Sequence, residues 1–186
     1  MGKEIEVRHV LKNKDELIKW LNGNAVPCKK SHQIDTYYNN RYHSFVTDTE
    51  HIYEWLRIRE ENDKTTINYK HWLPEGQVKR TYCDEYESII QSPGDVKKIL
   101  EHLGFEVFIV VDKTRHTWKM DDVEIAIDTV FGLGDYVEVE YKEKDYTDIK
   151  GITDRLHMLI QRMGAEVGEE DHGGYGFKLI QKRKKR

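Results

Sequence analysis

The chain has 186 residues, with 30 Lys+Arg against 34 Asp+Glu, a formal charge of −4, and 34% charged against 38% apolar residues. That length supports one domain with a real core and excludes two independent enzyme domains of ordinary size. Aromatic residues, 11% of the chain and spread along it, argue against disorder, and no apolar run is long enough for a membrane-spanning helix.

In chain order, Glu4-Ile5-Glu6-Val7-Arg8 alternates strictly, with Ile5 and Val7 on one face and three charges on the other, which predicts a strand. A helix follows over 15–21, where Leu17, Ile18 and Leu21 are helically spaced. Strand alternation returns in Leu56-Arg57-Ile58-Arg59 and in Ile67-Asn68-Tyr69-Lys70. Ser92-Pro93-Gly94-Asp95 reads as an N-cap, a Pro at the first helical position and an acid at the positive end of the dipole. That helix is expected to reach Leu103 and stop at Gly104. Phe105 to Val111 is a strand that turns charged at Lys113-Thr114-Arg115. Val123 to Asp128 and Val137 to Lys142 alternate on either side of the turn Gly132-Leu133-Gly134-Asp135. Ile152, Leu156, Leu159, Ile160 and Met163 stripe a third helix from Thr147 or Asp148, with Gly164 after it. Tyr175 to Ile180 is expected as a last strand, before a basic tail over 182–186 expected to be solvated and frayed. Many strands and three helices make an antiparallel α+β protein, read as one domain over 1–186.

Several chemistries find no support. Cys28 and Cys83 give neither a disulfide framework nor CxxC. The nine histidines show no HExxH and no zinc spacing, and no GxGxxG, GxxxxGK[ST] or GxSxG occurs. The start, MGKEIEVRHV, lacks the apolar core of a secretory signal, and Glu6 stands where myristoylation needs Ser or Thr. A cytoplasmic location without membrane attachment is the expectation, and the short basic tail is a weak basis for nucleic-acid binding.

The charges themselves are patterned. Acidic pairs stand two apart at Glu4/Glu6, Glu85/Glu87 and Glu138/Glu140, and basic pairs at Arg57/Arg59 and Lys113/Arg115. Residues two apart on a strand share a face, so each acidic pair aims two carboxylates at one volume. Singly, each pair reads as a solvated sheet face. Together, acidic and basic pairs segregate onto different strands. If the sheet closes, they would line a channel with an acidic part suited to a hard divalent cation and a basic part suited to phosphoryl oxygens. Trp20, Trp55, Trp72 and Trp118 read as packing residues, Cys83 as a small strand filler, and His116 and His172 as surface. Tyr37 reads equally as a strand residue or as one reaching the channel.

In this order the segments resemble the CYTH superfamily, the triphosphate tunnel metalloenzymes. Glu4-Ile5-Glu6-Val7-Arg8 is similar to its ExExK signature, Gln33-Ile34-Asp35-Thr36-Tyr37-Tyr38 to its Q-x-D-x-Y-Y segment, and Leu56-Arg57-Ile58-Arg59 to LRIR. Thr66 to Lys70 resembles T-x-x-YK, Glu85-Tyr86-Glu87 the middle ExE, Leu103-Gly104-Phe105 LGF, and Lys113-Thr114-Arg115 KxR. Asp128 through Glu140 resembles the late segment ending in ExE. The resemblance implies a closed antiparallel β-barrel of about eight strands around a hydrophilic tunnel, with flanking α-helices. It implies Mg2+ or Mn2+ on Glu4, Glu6, Glu138 and Glu140, with Glu85 and Glu87 second, and a triphosphate held by Arg8, Arg57, Arg59, Lys70, Lys113 and Arg115. Glu4, Glu6, Lys70, Arg115 and Asp128 are the implied catalytic set, Asp128 by positioning basic groups or assisting the metal site.

The implied activity is a metal-dependent triphosphatase acting on inorganic triphosphate, thiamine triphosphate or a nucleoside triphosphate. The alternatives are a class IV adenylyl cyclase making cyclic AMP and pyrophosphate, and a non-catalytic polyphosphate or nucleotide binder. A homodimer is compatible with the resemblance and not demanded by it. The sequence departs from the pattern at four places. Arg8 replaces Lys, which argues against a general base there. Cys83 stands where a basic residue precedes the middle ExE, with Arg80 the nearest cation before it. His71-Trp72 follows Lys70 in place of Gly-Pro, and Gly173-Gly174-Tyr175 stands where the cyclases carry Arg-Ser-Tyr. Glu140 completes an ExE that some cyclases lack, which tilts the resemblance toward hydrolysis.

Overall fold

The computed structural model describes residues 2–46, 52–73, 82–143 and 147–184. They form β1 (Gly2–Leu11), α1 (Lys14–Asn24), β2 (Val26–Asn40), β3 (Glu54–Glu61), β4 (Lys64–Leu73), β5 (Tyr82–Ile89) and α2 (Pro93–His102). After these come β6 (Phe105–Met120), β7 (Val123–Val130), β8 (Gly134–Tyr141), α3 (Ile149–Arg162), β9 (Val167–Glu170) and α4 (Gly174–Lys184). The strand order is β5-β4-β3-β2-β6-β7-β8-β1, and β1 also pairs with β5. The sheet is therefore a closed eight-stranded antiparallel barrel with four helices, which leaves no open edge in the ring. β9 adds outside it, pairing His9 with Glu170 and Leu11 with Val167.

Local chemistry sets the turns. Asn62 and Asp121 sit at φ 51° and 52°, where a short polar side chain is tolerated, in two-residue hairpins closing the pairs Glu61–Lys64 and Met120–Val123. Gly104 ends α2 at φ 83°, and a Cβ there would lie 2.5 Å from the Tyr42 ring. Only glycine serves both demands.

Period two decides the two sides of the barrel wall. Ile5, Val7 and Leu11 of β1 point outward with Ile125, Ile127, Val137 and Val139, and pack under Leu17 and Leu21 of α1 and Leu156 and Ile160 of α3. Burying a side chain of this size stabilises by about 1.5–3 kcal/mol. On another face, Tyr38, Leu56 and Ile58 pack with Leu100 of α2. Asp148 caps α3, accepting from the Gly151 amide at 2.9 Å, while the Ser92 hydroxyl before α2 turns to Asp95 and makes no cap bond.

The C-terminus corrects the sequence reading. Residues 175–180, expected as a strand, open α4. Their apolar residues serve a 3.6 period, with Tyr175 and Leu179 against Val111, Val130 and Tyr136, and Phe177 and Ile180 against the Ile52, Trp55 and Ile109 cluster. A run this short cannot separate the two periods by itself. Lys182 to Lys184 form the last turn of α4, where cations suit the dipole, and Lys182 donates to the Gly132 carbonyl. Lys185, Arg186 and Arg80 lie outside the described residues. Among the described residues no helix is long and apolar enough to cross a membrane.

Candidate active site

The barrel encloses a cavity of about 510 Å³. Glu4, Glu6, Arg8, Arg57, Arg59, Lys70, Glu85, Glu87, Lys113, Arg115, Glu138 and Glu140 all line it. The strand pairs that alternate in the sequence thus point into one space. In full the lining carries ten carboxylates and eight Lys or Arg side chains. A polyanion alone is poorly matched to a wall of that balance, and a polyanion with cations fits it.

Acidic and basic groups interlock across strands, so the channel has no purely acidic and purely basic ends. Arg8 bonds Glu138 at 2.7 Å and also pairs with Glu6. Arg115 reaches Glu138 at 2.9 Å. Lys70 pairs with Glu4, which also accepts from the Cys83 thiol at 3.1 Å. The buried Cys83 therefore supports a site carboxylate as well as filling space. Lys70 stands 3.5 Å from Glu85, and Asn68 donates to that carboxylate at 2.6 Å. Glu87, further out, is exposed.

The four ranked metal carboxylates differ in state. Burial pushes Glu138 and Glu4 up, but Arg115 and Arg8 beside the one and Lys70 beside the other win, leaving both below the usual range. Glu6 is pushed up to about 8 by burial first, with Glu138 and Glu4 adding to it against Arg8. Glu140 is pushed up to about 7, by burial and by Glu4 against Lys142. Glu6 and Glu140 face each other directly across β1 and β8, where like charges repel. Glu6 and Glu140 are therefore not compensated for their burial by the cations beside them, and the cluster's donors are all hard oxygens. Both facts fit a divalent Mg2+- or Mn2+-type ion.

The basic wall is braced from behind. Asp35 takes Arg59 through two bonds, 2.6 and 2.7 Å, and stands 3.5 Å from Arg57. Asp128 takes Arg115 through bonds of 2.8 and 2.6 Å, Lys113 at 3.0 Å and the Tyr175 hydroxyl at 2.8 Å. Asp128 has no exposed surface and does not line the cavity, so it meets that space only through Arg115 and Lys113. Against the pull of burial, Arg115 and Lys113 hold it at about 2. Lys113 is brought down to about 7 by burial and by Arg115. The buried Nε of Arg57 has no acceptor among the described residues, an orphan donor of the kind an anion satisfies.

Sequence reasoning passed over several wall residues. Asp35 sits alone among uncharged neighbours in 33–38, a signal that was available. Asp171, which lines the cavity and stands 3.5 Å from Arg8, arrives only through the fold. Tyr37, Trp55 and Trp72 line the cavity, with Tyr37 and Trp55 in edge contact at 5.2 Å, and both tryptophans pack in the cluster of Ile52 and Ile109 as expected. Trp118 is pure interior, donating to Asn22 at 3.0 Å. His116 and His172 are half-buried: His116 lies against Trp118 in a tilted ring contact at 3.8 Å, and His172 lines the cavity.

Comparison with known proteins gives one consistent picture. The sequence matches the CYTH domain family over residues 2–175. A Methanocaldococcus jannaschii protein named as a candidate adenylate cyclase is 26% identical over 162 residues, 86% of this chain and 89% of that protein. The PH1819 protein of Pyrococcus horikoshii superposes with a TM-score of 0.80 at 27% identity, covering 97% of this chain and 99% of its own. A Hippeastrum protein, described as a candidate adenylyl cyclase with a dominant triphosphatase activity, shares the fold at a TM-score of 0.66 and 17% identity, with 98% and 96% covered.

Proposed function

The chain belongs to the CYTH domain family, and from that premise we propose that it is a divalent-metal-dependent triphosphatase holding its substrate's phosphate chain in the tunnel. The observation that carries the reading is the pairing of a braced basic wall with a carboxylate cluster short of positive charge in one cavity.

Arg57, Arg59, Lys113 and Arg115 would bind the phosphoryl oxygens, with Arg57 Nε offering its unmet donor. Asp35 and Asp128 keep the guanidiniums of Arg59 and Arg115 oriented, so little reorganisation is left when charge develops on the phosphoryl oxygens. Lys70, held protonated against the pull of burial by Glu4 and Glu85, acts as a cation and not as a base. A divalent ion on Glu4, Glu6, Glu138 and Glu140 would supply charge neutralisation and acidify water. In the reaction a water oxygen bonds to the terminal phosphorus, the bridging P–O bond breaks, and the shortened diphosphate leaves.

A second reading is ATP cyclisation, favoured by the aromatic wall of Tyr37, Trp55 and Trp72 and by the name of the M. jannaschii relative. Phosphorus NMR of the protein with Mg2+ or Mn2+ and, separately, inorganic triphosphate, thiamine triphosphate and ATP separates the two. Orthophosphate with the diphosphate product is expected. Cyclic AMP with pyrophosphate would replace the first reading by the second, and tight binding without product would overturn both in favour of a binder.

A further inference from the structure

A second cluster of ligand-type side chains meets where β9 joins β1 under α3, with Glu170 at the edge of the tunnel cavity. His9 is on β1, on the face that turns Ile5 and Val7 toward α3 and away from the tunnel. Glu170 of β9 is its direct cross-strand partner. His157 of α3 comes down over both. One ring nitrogen from each histidine and one Glu170 oxygen all lie within 4.8 Å of one another. His157 Nε2 stands 3.3 Å from Glu170 Oε2, about the ligand-to-ligand edge of a tetrahedral zinc site with bonds near 2.0 Å.

The hydrogen bonds point the same way. A ring nitrogen facing a carbonyl must be the donor. His9 Nδ1 faces the Gly168 carbonyl at 3.3 Å, and His157 Nδ1 faces that of Thr153 at 3.0 Å. With Nδ1 turned to a carbonyl, Nε2 is the nitrogen of each ring left to meet an ion, the outer-sphere arrangement that ligating histidines use. Two imidazoles and a carboxylate suit a borderline ion of the Zn2+ type, unlike the all-oxygen cluster in the tunnel. The side chains of His157 and Glu170 keep 27% and 23% exposure, enough for an ion to enter.

We propose that His9, His157 and Glu170 form a transition-metal site of the zinc class, distinct from the Glu4, Glu6, Glu138 and Glu140 set, that ties β9 to β1 and α3. The tie has a reason. Asp171 follows Glu170, its amide donates to the Arg8 carbonyl at 2.7 Å, and its side chain accepts from Gly173 and Gly174 at 3.1 and 3.0 Å. An ion there would hold the segment that delivers Tyr175 to Asp128.

The test uses the full chain with Mg2+ in millimolar excess to occupy the tunnel carboxylates. Co2+ is titrated by visible absorption and Zn2+ by competition. The expected result is one equivalent with the intense bands of a four- or five-coordinate nitrogen-containing site. His9→Gln and His157→Gln should each weaken it by about a hundredfold or more, with metal-free circular dichroism unchanged and His32→Gln binding as wild type. Absence of stoichiometric Co2+ binding, or binding that both variants keep, would overturn the proposal. This result is independent of whether the tunnel hydrolyses anything.

Discussion

On the side of the tunnel built by β2, β3, β6 and β7, Arg59 and Arg115 fork onto Asp35 and Asp128, carboxylates held ionised well below neutral pH. On the side built by β1 and β8, Glu6 and Glu140 face each other with Arg8 and Lys142 as their nearest cations, and both are pushed up toward neutrality. Both sides are buried and charged, yet on the first Arg59 and Arg115 meet their counter-charges within the protein, and Arg57 Nε is left for a ligand. A charge paired by its own chain is held in place before any ligand arrives, whereas one left under-compensated needs a ligand to complete it.

The largest effect that would sharpen this contrast is on turnover. Glu6→Gln should lower the steady-state rate by about a hundredfold or more, while the metal-free melting temperature holds or rises because a strained charge is gone. Wild-type turnover would break the assignment of that side to metal. Asp128→Asn should do the reverse. It leaves Lys113 buried without its counter-charge and Arg115 with Glu138 alone, a cost of about 3–5 kcal/mol, read as a melting temperature lower by about 10 °C. Wild-type melting would show that this side is not held from within.

A smaller effect is expected for Arg57→Lys. It keeps the charge and loses the planar fork, so the Michaelis constant for a triphosphate should rise about tenfold with little change in kcat. The smallest effect is on pH dependence. Glu6 and Glu140 bind protons more tightly folded than at their ordinary value of 4.5. Metal-free stability should therefore fall as pH rises from about 5 to about 8. Lys113, lowered to about 7, acts in the opposite sense only above that pH. The double variant Glu6→Gln/Glu140→Gln should flatten the melting-temperature slope, and Mg2+ should flatten it in the wild type. A slope untouched by either would break the contrast.

Much of the site was legible because the strand period is two. Glu4/Glu6/Arg8, Arg57/Arg59, Lys113/Arg115 and Glu138/Glu140 each announce a shared face, and all of them meet in the cavity. Asp35 and Asp128 were visible as single acids in alternating strands, but their part in bracing the arginines depends on register: Asp35 opposite Arg59, and Asp128 opposite Arg115. The helix over 174–184 was misread because six residues of mixed apolar pattern satisfy either period. His9, His157 and Glu170 gave no local signal at all, since their meeting needs β9 to pair with β1 beneath α3.

The sequence by itself determined the antiparallel α+β character, the outward apolar stripe under α1 and α3, and the identity of the charges on the opposite face, because side-chain alternation and helical spacing are local properties of the chain. Only the tertiary structure decided that β1 closes onto β5, which turns that opposite face from a solvated surface into the wall of a tunnel. Closure withdraws the charges from water. Whether each is then braced, like Arg59 and Arg115, or left wanting a partner, like Glu6 and Glu140, depends on which residues the register sets across from it.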